Sequence, residues 1–149
     1  MRTVHVGLVC SSEESADRFY RDLLGLKKVE PKTLPQKLSN AIFDFAADLK
    51  IINYTSEDAH FEIFINRRAA RKERPIEHVC IEVPDVAGLL QRGHAMNAKT
   101  VQVPKGDTLL AFIYDFDGNL FELKEKQGAG AEAGSQKIVV SSQEPEGRR

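Results

Sequence analysis

Four short runs in this chain alternate apolar and polar positions with a period of two: Thr3 to Cys10, His60 to Asn66, His78 to Val83 and Leu120 to Glu125. Successive side chains of a strand point to opposite faces, so this period predicts strands with one apolar row each. The stretch "SSEESADRFYRDLLG" has another rhythm. Ala16, Phe19, Tyr20, Leu23 and Leu24 recur at i, i+3, i+4, i+7 and i+8, which predicts a helix with a single apolar stripe. Ser11 and Glu14 fit a capping box at its start, and Gly25 is a natural stop. Two further strands are expected at Asn40 to Ala46 and Lys50 to Tyr54, set apart by turns at "AADL" and "TSEDA". Beyond His78 to Val83, Pro84-Asp85 opens a shorter helix with Val86, Leu89, Leu90 and Gly93 on one side. Strands follow at Thr100 to Val103 and Thr108 to Tyr114, and Asp117-Gly118 makes a tight turn before the last strand.

The order is β-α-β-β-β, and it occurs twice. An internal duplication is the economical explanation. The expected fold is α+β: two βαβββ repeats, about 2–66 and 76–126, forming a curled mixed-sheet cup with helices outside. Together they make one domain over residues 1–127. From Gln127 the composition changes. "GAGAEAG" and "SSQEPEGRR" are poor in large apolar residues, so 128–149 is expected to be a flexible tail, with "KIVV" able to add an edge strand.

Composition narrows the function classes. The chain has 149 residues, with 21 basic and 22 acidic side chains and a net charge of -1. That balance gives no general attraction to nucleic acid or to an anionic membrane. No apolar run is long enough to span a bilayer, and "MRTVHVGLVC" is not a signal-peptide pattern, so a cytoplasmic location is expected. Cys10 and Cys80 both fall in expected strands and read as small core residues of a reducing compartment. The linker "RRAARKERP" carries Arg67, Arg68, Arg71, Lys72 and Arg74, which suit either a solvated connection or an anion site.

The second row of each strand is where chemistry is expected. His5 lies opposite Val4, Val6 and Leu8. His78 lies opposite Val79, Ile81 and Val83. Glu62 opposes Phe61, Ile63 and Ile65, and Glu122 opposes Phe121 and Leu123. Taken singly, a His at a strand start is commonly an edge residue, and a Glu in a strand commonly faces solvent. The matched positions in the two repeats point to a shared purpose. If the sheets curl together, two imidazoles and two carboxylates face one hollow. Desolvating them is costly without a partner, and a divalent cation such as nickel, cobalt, zinc, iron or manganese resolves that cost.

The stretches "HVGLVCSSEESADRFYRDLLGL", "FEIFIN", "EHVCIEVPDVAGLL" and "YDFDGNLFELKE" resemble the vicinal oxygen chelate superfamily, the glyoxalase/bleomycin-resistance/dioxygenase group. The resemblance covers about residues 2 to 126. It implies paired βαβββ modules around a metal and places the ligands on His5, Glu62, His78 and Glu122. The His/Glu/His/Glu set is similar to the nickel-preferring glyoxalase I type, lactoylglutathione lyase. Methylmalonyl-CoA epimerases are related but usually carry Gln where this chain has Glu62. Asn66 matches a position at which glyoxalase I holds the glutathione carboxylate. The chain departs from that pattern at Val9, where glyoxalase I has an Arg for the same thiol.

The resemblance implies a divalent metal (Ni, Co, Zn or Mn), a homodimer, and a small-molecule substrate, either a 2-oxoaldehyde–thiol adduct or an acyl-CoA. With neighbouring substrate oxygens chelated, a carboxylate, Glu122 or Glu62, would take a proton from the carbon beside a carbonyl. Returning it to the adjacent carbon turns a hemithioacetal into a thioester; returning it to the same carbon epimerises. The alternative is a protein that binds a small molecule in the same cup without turning it over. A ring-cleaving dioxygenase suits the chain less well, because such enzymes leave ligand positions open where Glu62 would crowd them.

Overall fold

The structure is a computed structural model, described for residues 3–68 and 77–126. The expected tail, 128–149, and the linker residues Arg71, Lys72 and Arg74 lie outside the described residues. The first half contains strands β1 (Val6–Cys10), β2 (Lys27–Lys28), β3 (Lys32–Leu34), β4 (Leu49–Thr55) and β5 (His60–Ile65). The second contains β6 (Val79–Val83), β7 (Thr100–Lys105), β8 (Thr108–Tyr114) and β9 (Leu120–Glu125). One sheet has the order β1-β5-β4-β2, with β3 also on β4; the other has β6-β9-β8-β7. Both are mixed: β1 runs parallel to β5, β6 runs parallel to β9, and the remaining pairs are antiparallel. The α+β duplication expected from the hydropathy pattern is therefore present.

Helix α1 (Glu13–Ala16) continues directly into a π-helical stretch, Asp17–Leu23. The wider turn shows in the bond from Leu24 N–H to the Phe19 carbonyl, five residues back, at 2.9 Å. Gly25 ends the helix at φ 73°, as its type predicts. The cap is Ser12, whose hydroxyl accepts from Ser15 N–H, rather than Ser11 with Glu14. The Ser11 N–H goes instead to the Asp117 carboxylate. Helix α3 (Val86–Ala95) is capped by Asp85, whose carboxylate accepts from Gly88 N–H, and buries Val86, Leu89, Leu90 and Gly93 as expected.

The strand expected at Asn40 to Ala46 is not there. Gln36–Phe43 is a helix, α2, following Pro35 and ending at Asp44 with φ 53°. Leu38, Ala41 and Ile42 are spaced for a helix. The run "AIFDFA" that follows Asn40 alternates well enough to imitate a strand, an ambiguity that short apolar runs carry. Ser39 fixes the helix by donating its hydroxyl to the Phe45 carbonyl at 2.7 Å. The short strands β2 and β3 also had no expected counterpart. Cys10 is buried as expected, but Cys80 is exposed, on the face of β6 that turns away from the core.

One core joins the halves. Phe19 and Tyr20, both fully buried, reach Phe121 and Phe61 with ring centroids 5.2 and 5.7 Å apart. Phe61 and Phe121 themselves meet at 5.8 Å. Each immediately precedes a candidate glutamate. Because alternate side chains of a strand take opposite faces, this contact turns Glu62 and Glu122 away from the shared core.

A second joint is polar. Asp115, only 3% exposed, accepts from the Tyr20 hydroxyl at 2.9 Å, the Asn119 side-chain amide at 2.7 Å and the backbone N–H groups of Asp117 and Asn119. Burial pushes its carboxyl above the usual range, and these donors only partly offset that. Asn119 also donates to the Val9 carbonyl at 3.1 Å, so the turn that launches β9 is tied to β1. Asp115→Ala leaves several buried donors without an acceptor and is expected to cost about 3 to 5 kcal/mol of stability. Urea unfolding checks this; a loss below about 1 kcal/mol would show that the joint carries no weight.

Candidate metal centre

The duplication extends to strand register. Val6 stands opposite Phe61 and Gly7 opposite Glu62; Val79 stands opposite Phe121 and Cys80 opposite Glu122. In both halves a His immediately precedes the first paired residue of its strand. The two halves therefore build the same local pair. His5 Nε2 lies 3.5 Å from Glu62 Oε2, and His78 Nε2 lies 3.3 Å from Glu122 Oε2. The carboxylates are mostly covered, at 15% and 19% exposure, and the imidazoles are more open, at 46% and 37%.

The structure does not bring all four together within one chain. Among the described residues no group of three or more His, Cys, Asp or Glu stands close enough to hold a metal. The common hollow suggested by the alternation is replaced by two half-sites: Phe61 and Phe121 meet in the shared core, and each neighbouring glutamate faces away from it. Each half-site nevertheless fits a cation. Two donors about 2.1 Å from one ion, at octahedral to tetrahedral angles, stand roughly 3.0 to 3.4 Å apart, close to the spacings found. Imidazole nitrogen and carboxylate oxygen also suit the divalent metals expected.

The half-sites have unlike surroundings. The His5–Glu62 pair borders a cavity of about 410 Å³ lined by Val9, Phe43, Phe45, Leu49, Phe64 and Asn66. Helix α2 brings Phe43 over Phe64, with ring centroids 5.4 Å apart. Asn66 is anchored at the rim: its N–H donates to the Cys10 carbonyl at 2.9 Å, and its side-chain oxygen accepts from Arg68 N–H. His60 stands 5.6 Å from the His5 ring, and its Nε2 pairs with Asn53 Oδ1 at 3.0 Å. Around the other pair, the His78 ring packs on Phe112. The Cys80 thiol lies beside Glu122 and, although its residue is exposed, is pushed up by partial desolvation and by that carboxylate.

Two lysines belong to these surroundings and had no expected role there. Lys32 Nζ is 3.1 Å from Glu62 Oε1, and Lys124 Nζ is 3.9 Å from Glu122 Oε1. Lys124 lies two residues after Glu122, so strand alternation alone places both on one face. Lys32 arrives from β3 and leaves no such signal in the sequence. Phe43 and Phe45 were hidden by the strand expected in place of α2.

Residues 2–123 match the family model of the Glyoxalase/Bleomycin resistance protein/Dioxygenase superfamily. A chloroplast protein of Arabidopsis thaliana described as a probable lactoylglutathione lyase is 30% identical over 134 residues. That alignment takes in 84% of this chain but 36% of the relative, so the chain spans about a third of that protein's length. Among solved structures, the trypanothione-dependent glyoxalase I of Leishmania major superposes with a TM-score of 0.60 at 18% identity, covering 84% of this chain and 86% of that one. A variant of the fosfomycin resistance protein FosX of Listeria monocytogenes, complexed with Mn(II) and a dihydroxypropylphosphonic acid, superposes with a TM-score of 0.63 at 17% identity, covering 82% and 90%. At these identities the superpositions speak for the fold.

Proposed function

The chain belongs to the Glyoxalase/Bleomycin resistance protein/Dioxygenase superfamily, and from that premise we propose that it is a divalent-metal-dependent lyase or isomerase of the glyoxalase I type, with each metal centre completed by a second copy of the chain. The carrying observation is the pair of matched half-sites, His5–Glu62 and His78–Glu122, each with two donors at ligand spacing. In a two-fold dimer a contact of one surface with another occurs twice. Bringing the first-half face of one copy onto the second-half face of the other would create two four-ligand centres. The relative described as a probable lactoylglutathione lyase supports the lyase chemistry, and the FosX neighbour complexed with Mn(II) supports a divalent metal on this fold.

The bound cation would supply Lewis-acid polarisation of two neighbouring substrate oxygens. The remaining work falls to the chain. Glu122 is the better candidate for the base, because its lysine stands 3.9 Å off whereas that of Glu62 is at 3.1 Å. It would accept the proton from the carbon beside the carbonyl and return it to the neighbouring carbon, giving a thioester from a hemithioacetal. The cavity beside His5 suits an apolar substituent, with the Asn66 amide for one polar group. Val9 opens onto this cavity where glyoxalase I has its glutathione-binding Arg. That favours a substrate less anionic than a glutathione adduct.

Solvent-deuterium exchange tests the reading. Protein reloaded in turn with nickel, cobalt, zinc or manganese should exchange the substrate α-hydrogen of a methylglyoxal–thiol adduct, and glutathione adducts should saturate weakly. Exchange with methylmalonyl-CoA alone would favour an epimerase. No exchange with either substrate under any metal would refute both the glyoxalase and the epimerase chemistry, in favour of a binding protein or a substrate outside both classes.

A further inference from the structure

The two half-sites share a third member. In each, one carboxylate oxygen faces the imidazole while the other faces an ammonium. Oε2 of Glu62 faces His5 and its Oε1 faces Lys32; Oε2 of Glu122 faces His78 and its Oε1 faces Lys124. Duplication explains the histidines and glutamates but not the lysines. Lys124 sits on β9, two residues from Glu122. Lys32 comes from β3, where it stands opposite Ile51, which in turn stands opposite Phe64. Residues opposite one another on neighbouring strands share a face, so Lys32 lies on the same face of the sheet as Phe64 and Glu62. The same charge arrangement is thus reached from two unrelated places in the chain.

We propose that Lys32 is a positioning residue for Glu62: it holds Oε1, leaves Oε2 as the oxygen open to a cation, and competes with the cation for the carboxylate. The inference rests on the metal-centre reading above. A carboxylate with one oxygen engaged by an ammonium has the other left to give, which favours one-oxygen ligation and leaves a coordination position for substrate. An ammonium at the same carboxylate also repels a divalent cation, so Lys32 lowers metal affinity. Its contribution to folding is small, because it is a half-exposed ion pair on a flexible stem.

Cobalt(II) titration of the full chain, followed by its visible absorption, tests this without any substrate. Lys32→Met should bind cobalt about three- to tenfold more tightly than wild type, with the gain shrinking at high salt. Its visible band should weaken, reporting an added carboxylate oxygen on the metal. Lys32→Arg, which keeps the charge, should behave as wild type, and both variants should melt with wild-type protein. Unchanged affinity and band in Lys32→Met, alongside loss of cobalt binding in His5→Ala, would overturn the role of Lys32 and leave the metal centre standing. Unchanged binding in His5→Ala as well would overturn both.

Discussion

Glu122→Gln is expected to lower proton-transfer turnover by about 10² to 10⁴-fold while the protein still takes up metal. The amide keeps the size of the side chain and an oxygen that can ligate weakly, but it cannot accept a proton at neutral pH. Glu122 stands on β9 immediately after Phe121, a fully buried anchor, so the substitution leaves the strand in place. Its carboxylate is mostly covered, and its lysine is too distant to hold it firmly. Glu62→Gln should cost less in turnover and more in affinity, because Glu62 is held by Lys32 on one side and faces His5 on the other. Deuterium exchange at the substrate α-carbon, compared at saturating metal, separates the two roles. Equal losses in both variants would contradict them.

His5→Ala and His78→Ala should each reduce metal affinity by roughly 10²-fold or more, since each removes one of four ligands and leaves its carboxylate without the neighbouring imidazole. Both histidines are partly exposed and sit just outside β1 and β6, so folding should be nearly unaffected. Metal content after dialysis and the melting temperature give the two readouts. Wild-type metal affinity in both variants would remove these residues from the centre.

Much of this molecule was legible in its sequence, for identifiable reasons. The strand period exposed β1, β5, β6 and β9, and the repeat made the histidines and glutamates stand out as matched rather than scattered. Asp85 and Gly25 marked helix ends because their chemistry is local. The sequence "AIFDFA" imitates a strand, but only its first three residues belong to α2, whose end is set by local features, the left-handed Asp44 and the bond from the Ser39 hydroxyl to the Phe45 carbonyl. Other features depend on contacts that no local pattern carries. Lys32 reaches Glu62 from a strand two places across the sheet, so no spacing relates the two residues. The division into half-sites has the same origin. Alternation shows that Glu62 and Glu122 oppose Phe61 and Phe121, but only the meeting of those two rings shows that both apolar rows face a single core and both glutamates face away from it.

That division makes a centre shared between two copies directly testable. If each centre takes His5 and Glu62 from one copy and His78 and Glu122 from the other, His5→Ala and His78→Ala can complement each other. A mixed dimer would hold one centre missing both histidines and one centre intact. The measurement is bound cobalt after the two variants are unfolded together, refolded at equal concentrations and dialysed. Random pairing makes half the dimers mixed, so the mixture should recover about a quarter of wild-type binding, although neither variant alone retains metal. Recovery of none, with mixed dimers demonstrated, would contradict a centre shared between two copies.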